Sequence, residues 1–183
     1  MKFLFNANIK FNKGLFQKEY DSLFVNEKGY SDKTGAVDWW RVIRKDDMTS
    51  KVVHDFAHKI KDAFELPGKV DGRFYRLVAG HKLPWHQDRG TQCSFNFVIS
   101  GTAPCWFKDE CDNEYRFTYE QSLFNTQAWH SVEASDVDRL LFKVSVFDIE
   151  YLDVVRKILE FRTKINLRTE IDLDKNYEQN PSR

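Results

Sequence analysis

A mainly β domain with flanking helices, closed as a sandwich or barrel, is predicted by three observations. Between Gly72 and Asp148 the chain is a series of short β-forming runs separated by turn signals at Gly80, Gly90, Gly101-Thr102-Ala103-Pro104 and Asp112-Asn113. Many short strands at this spacing belong to sandwiches and barrels. On either side of that region the apolar period changes from strand-like to helical. Aromatic residues make up 15% of the chain, with 16 Phe and 5 Trp, and such rings pack well on pleated surfaces.

The elements follow in order. Phe3 to Phe5 and Val37 to Ile43 read as strands, with Asn26 to Gly35 between them as a loop. From Thr49 to Leu66, apolar Val52, Val53, Phe56, Ala57, Ile60, Ala63 and Phe64 keep helical spacing. Thr49 or Ser50 can cap its start, and Pro67-Gly68 ends it. Strands are then predicted near 73–79, 94–100, 105–108, 115–119, 122–124, 130–132 and 140–147. A second helix is marked by Tyr151, Leu152, Val154, Val155, Ile158, Leu159 and Phe161, with Asp148 or Glu150 near its start. One domain spanning 1–165 is expected, followed by a polar, mobile tail over 166–183.

At 183 residues and 42% hydrophobic content the chain can bury a core without disulfide or metal staples. Its 28 basic and 28 acidic residues balance, which argues against a protein built to grip phosphate backbones. Cys93, Cys105 and Cys111 form no regular framework and point to a reducing compartment. Met1 to Asn8 is too short an apolar run for a signal peptide. No stretch approaches the roughly 18 apolar residues of a membrane span. A cytoplasmic protein with no membrane partner is expected.

The candidate chemistry centres on Pro84-Trp85-His86-Gln87-Asp88-Arg89-Gly90. In an extended segment, side chains two apart point to one side. His86 and Asp88 would then supply an imidazole nitrogen and a carboxylate oxygen, two members of a two-histidine, one-carboxylate facial triad. The triad leaves positions open for a co-substrate and dioxygen. His130, in Trp129-His130-Ser131-Val132, is the candidate third ligand. Nine residues on, Arg139 opens the apolar run Leu140 to Phe147. A buried guanidinium needs a counter-charge, and a ligand carboxylate fits its fork. Alternation places Lys143 and Ser145 on Arg139's face, so Lys143 is the second candidate anchor. Asn96, Tyr75 and Arg76 are candidate pocket-lining residues from neighbouring strands.

These segments resemble the 2-oxoglutarate and Fe(II)-dependent oxygenase superfamily over about residues 72 to 148. The resemblance is carried by His86-Gln87-Asp88, by Asn125 to Val132 and by Asp138 to Val146. The last two look most like the aspartyl/asparaginyl β-hydroxylase branch. Asp88 is present where several members of that branch lack the carboxylate, and Leu141 stands where other branches place Ser. The resemblance implies a double-stranded β-helix of the jelly-roll or cupin-like kind. It implies Fe(II) on His86, Asp88 and His130, and 2-oxoglutarate as co-substrate with its far carboxylate on Arg139. Dioxygen and a small-molecule or peptidyl substrate would be the partners in a hydroxylation. The rival readings are a metal-binding cupin with chemistry independent of 2-oxoglutarate, and a binding module without activity.

Other motifs carry blander readings. His54 and His58, four apart on the first helix, lack a third ligand and read as a solvated face. His81 falls in a loop. Cys105 and Cys111 lack the partner pair a zinc site needs. Trp39 and Trp40 read as packing residues rather than a substrate entrance.

Overall fold

The computed structural model describes residues 2–23, 26–30, 40–44, 50–165 and 170–173. Two antiparallel sheets face each other. The larger holds β1 (Leu4–Phe5), β9 (Gln121–Phe124), β6 (Cys93–Ser100), β11 (Arg139–Val146), β4 (Val70–Leu77), β3 (Trp40–Arg44) and β2 (Asn26–Tyr30), in that spatial order. The smaller runs β5 (Leu83–His86), β10 (His130–Val132), β7 (Cys105–Lys108) and β8 (Glu114–Phe117). From β4 to β11 the chain passes repeatedly between the two sheets. This eight-strand wrapping is the double-stranded β-helix, or jelly roll.

Strand β11 is buried on both faces, which explains its near-continuous apolar run. One face of the larger sheet carries Phe74, Phe95, Phe97, Leu140, Phe142 and Val144 in a core shared with the helices. The opposite face looks into the barrel, where Leu77, Cys105, Phe107, Phe124 and Val132 form a second core. In register, Leu141 lies opposite Tyr75 and Lys143 opposite Asn96. Arg139, Leu141 and Lys143 therefore share the interior face with Tyr75 and Asn96.

Three helices cover the outer face. In α2 (Lys51–Ala63), Ser50 caps the start by accepting from the Val53 N–H, and Val53, Ala57 and Ile60 are buried along one stripe. The helix approaches β4 at Gly72, where a Cβ would lie 3.0 Å from Val53 Cγ1 and 3.1 Å from the Phe142 ring. In α3 (Tyr151–Lys164), Val154, Val155 and Ile158 are buried, with Asp153 in the first turn and Arg162 and Lys164 in the last. Those charges oppose the helix dipole favourably. Phe16 of α1 (Lys13–Ser22) stacks on Phe142 at 4.8 Å between centroids.

Two expectations, both near the N-terminus, are corrected. The predicted loop over Asn26 to Gly35 contains β2, paired with β3 over 26–30; Gly29 and charged neighbours mask a strand whose ladder comes from its partner. Helix α1 went unpredicted because Phe16 is its one buried residue, too little periodicity to read. Within the expected tail, Ile171 forms a parallel bridge with Ile9, and both are fully buried, with Leu173 buried beside them in the same core. Residues 166–169 and 174–183 of that tail lie outside the described residues, as does Trp39.

Candidate metal centre

The centre is assembled by a short strand pair on the smaller sheet. His86, the last residue of β5, lies directly opposite His130, the first of β10. Their ring centroids are 4.1 Å apart. His86 Nδ1 donates to the Pro84 carbonyl at 2.7 Å, and His130 Nδ1 to the Ala128 carbonyl at 2.8 Å. A carbonyl only accepts, so each Nδ1 carries a hydrogen, and in the neutral ring Nε2 presents the lone pair. Backbone-fixed tautomers of this kind are how ligating histidines are oriented.

Asp88 follows β5 and is tied down from the other side of the site. Its N–H donates to the Thr126 carbonyl at 3.0 Å, and its carbonyl accepts from Gln127 Nε2 at 2.9 Å. Its Oδ1 lies 3.5 Å from His86 Nε2 and 3.9 Å from His130 Nε2. One ligand atom from each of the three residues thus falls within 4.8 Å of the others. In the neutral form of both rings, two nitrogen lone pairs and a carboxylate oxygen converge on one point. That set calls for a cation, and its N₂O chemistry suits a divalent first-row metal.

The electrostatics act on Asp88 and His130. Burial opposes ionisation of Asp88, but Lys143, His86 and His130 outweigh it and hold the carboxyl far below its usual range. Burial first, and then His86, push His130 down to about 3 against the opposing pull of Asp88. His130 is thus neutral and able to ligate at physiological pH.

Two cations from β11 enter the same cavity, of about 580 Å³. Lys143 Nζ sits 2.5 Å from Asp88 Oδ2 and 5.4 Å from the centre of the Tyr75 ring. Arg139 is 1% exposed. Its Nη2 donates to Tyr119 Oη at 2.7 Å, and its Nε has no partner. Among the described residues, no carboxylate lies within ion-pair distance of Arg139, so its charge is buried without a counter-ion. Tyr119 Oη also accepts from Asn96 Nδ2 at 3.2 Å, and Asn96 Oδ1 accepts from Ser94 Oγ at 3.0 Å.

The structure thus brings His86, Asp88, His130, Arg139, Lys143, Asn96 and Tyr75 around one cavity. It leaves others elsewhere. Arg76 reaches Asp138 Oδ2 at 3.5 Å, and His81 Nδ1 bonds the Ala79 carbonyl. His54 and His58 lie side by side on α2 with ring centroids 4.2 Å apart and planes tilted by 33°, away from the cavity. Tyr119, Thr91 and Cys105 also line the cavity; the sequence marks neither Tyr119 nor Thr91, and it marks Cys105 as a thiol without a zinc-site partner pair. Tyr119 lies beyond the end of β8, and nothing in its spacing reports that it turns under Arg139. The need of a buried guanidinium for an acceptor is the one signal that could have found it.

No family model matches the chain, and no curated protein matches it. Solved structures do. A prolyl-4-hydroxylase from Pseudomonas putida is 10% identical, with a TM-score of 0.53 over 74% of this chain and 83% of that one. An oxidoreductase of the 2OG-Fe(II) oxygenase family from Burkholderia pseudomallei is also 10% identical, with a TM-score of 0.52 over 73% of this chain and 77% of that one. At such identity the likeness is one of fold, the double-stranded β-helix.

Proposed function

We propose that this chain is an Fe(II)- and 2-oxoglutarate-dependent dioxygenase that hydroxylates a small-molecule or peptidyl substrate. The observation that carries the reading is Arg139, a buried guanidinium without a carboxylate partner, facing the same cavity as the His86, Asp88 and His130 cluster. An unpaired buried charge costs several kcal/mol, roughly, and an incoming dicarboxylate would relieve it. Lys143, the second candidate anchor, is already engaged by Asp88, which favours Arg139 for the co-substrate. The two neighbours of shared fold named above lend support at the level of the superfamily. Residues 125–132 and 138–146 are the basis for placing the chain nearest the aspartyl/asparaginyl β-hydroxylase branch.

His86, Asp88 and His130 would hold the metal, and Arg139 with Tyr119 would fix the far carboxylate of 2-oxoglutarate. Together the metal and keto acid would supply dioxygen activation, with the co-substrate leaving as succinate and carbon dioxide. The chain's own contribution is orientation: neutral Nε2 donors set by backbone carbonyls, an anchor held by a tyrosine, and apolar walls at Leu83, Leu141 and Val132 that restrict water. No helix among the described residues is long and apolar enough to cross a membrane, and Cys93, Cys105 and Cys111 are all free thiols. Both features accord with a cytoplasmic location.

The deciding experiment is anaerobic titration of the protein with Fe(II) and 2-oxoglutarate, followed by visible absorption. A weak charge-transfer band that needs both components, and succinate release on admitting air, is the expected result. Metal uptake without any 2-oxoglutarate binding at millimolar concentration would transfer the chain to the cupins with other chemistry.

A further inference from the structure

The carboxylate of Asp88 is divided between two tasks. Oδ1 faces the two histidine nitrogens at 3.5 and 3.9 Å, while Oδ2 is held by Lys143 Nζ at 2.5 Å. Lys143 reaches Asp88 from the larger sheet, and the histidines face it from the smaller one. The lysine is fixed in the middle of β11, flanked by β4 and β6, and its side chain is 14% exposed. Asp88 is its one carboxylate partner within 4 Å among the described residues. The backbone of Asp88 is independently anchored by Thr126 and Gln127. Lys143 is therefore not needed to locate the residue, only to claim one of its oxygens and to neutralise its charge.

Two consequences follow from elementary electrostatics. Imidazoles ligate in the neutral form, so with the Asp88 charge cancelled by Lys143 the ligand set carries no net charge toward an incoming dication. A fixed ammonium close to a metal position repels a cation, and strongly so inside a cavity of low polarisability. With Oδ2 occupied, the carboxylate has a single oxygen to offer, which preserves open positions on the metal.

We propose that Lys143 is a positioning residue that keeps Asp88 a one-oxygen ligand and weakens the centre's hold on a lone divalent metal, so that tight metal binding requires an accompanying dianion. The inference rests on the metal-binding part of the function proposed above, and it moves Lys143 from candidate co-substrate anchor to regulator of the metal ligand.

The test uses Mn(II) as probe, titrated by calorimetry into the full chain, first without and then with 2-oxoglutarate. Lys143→Met should bind Mn(II) alone about tenfold or more tightly than the wild type, the scale typical of residues contacting metal ligands. Its affinity should gain less from 2-oxoglutarate than the wild type's does. Lys143→Arg, which keeps the charge, should behave as the wild type. Lys143→Gln removes the charge but can still donate to Oδ2, so it should share the tighter binding of Lys143→Met. It also provides the test if the apolar variant fails to fold. Co(II) absorption gives a second readout: the Met variant alone should show the altered bands of a carboxylate free to use both oxygens. A merely structural lysine predicts the opposite sign, since a disordered Asp88 binds metal more weakly; equal or weaker Mn(II) binding by both neutral variants overturns the proposal. If Mn(II) binding follows the expected pattern but 2-oxoglutarate never binds, the co-substrate reading falls and the effect on lone-metal affinity stands, without the link to a dianion. A wild type that takes up no Mn(II) even with 2-oxoglutarate present overturns both.

Discussion

His86 and His130 are 44 positions apart in sequence yet face each other across a single ladder step between β5 and β10. Each spends its Nδ1 hydrogen on the carbonyl two residues before it. The pair is thus pre-set for coordination by main chain alone, before any ligand arrives. Replacing either histidine by Ala should weaken Mn(II) binding by two orders of magnitude or more, about 2.7 kcal/mol, while leaving the thermal midpoint within a few degrees. Calorimetry with a parallel melt separates the two effects, and retention of metal affinity by either variant would rule out the assigned ligand set.

Arg139 has Tyr119 for a partner and no carboxylate. Arg139→Ala should cost about 2–5 kcal/mol of 2-oxoglutarate binding, the value of a buried charge-assisted fork. That is a rise of roughly 30-fold to several thousand-fold in dissociation constant, with Mn(II) affinity little changed. Asp88→Ala should show the reverse bias. Binding isotherms on the Mn(II)-loaded variants decide between them, and loss of co-substrate with Lys143→Ala but not with Arg139→Ala would exchange the two roles.

Acid stability of the metal-free protein should depend on His130. Its folded-state value of about 3 lies below the ordinary 6.5, so between those limits the unfolded chain binds a proton that the folded chain refuses. Stability therefore rises with pH across this window and is lost as pH falls from about 6.5 toward 3. Asp88 is also depressed, but its contribution fades only below the ordinary carboxyl value of 3.8, outside most of that range. Urea midpoints should fall between pH 7 and pH 4.5 in the wild type and fall less steeply in His130→Leu. Parallel slopes in the two proteins would refute the assignment.

The three thiols should react unequally. Burial pushes Cys93 up to about 12 and also raises Cys105, whereas Cys111 is exposed. The thiolate is the reactive form, so a disulfide reagent at pH 8 should modify Cys111 rapidly and the other two only after unfolding. Rapid modification of two or more thiols in the native protein would show the barrel to be more open than described.

Gly101 adopts φ of +65°, and a Cβ there would lie 2.2 Å from the Asp138 carbonyl oxygen and 3.1 Å from Arg139 Cα. Both contacts are with backbone, so an alanine must displace the strand that carries the anchor. Gly101→Ala should cost about 1–3 kcal/mol in stability and weaken 2-oxoglutarate binding beyond the change in fold. Melting curves and co-substrate isotherms on the same preparation test both halves, and an unchanged melting temperature would contradict the clash.

The β-rich class, both longer helices and the candidate set His86, Asp88, His130 and Arg139 were legible in the order of residues alone. The physical reason is locality. Strand and helix periods, caps such as Ser50, and a His-x-Asp spacing act over a few residues, and so remain visible in one dimension. Strand β2 and helix α1 were not legible, because the first depends on its partner's ladder and the second on a single buried phenylalanine. What each charged residue faces emerges from the folded arrangement. Arg139 and Lys143 share one side of β11 and look alike to an alternation rule. The loop after β5 delivers Asp88 to Lys143, and the chain beyond β8 delivers a neutral Tyr119 to Arg139. Which cation is left without a counter-charge depends on contacts between residues 20 to 55 positions apart, and no local pattern encodes them.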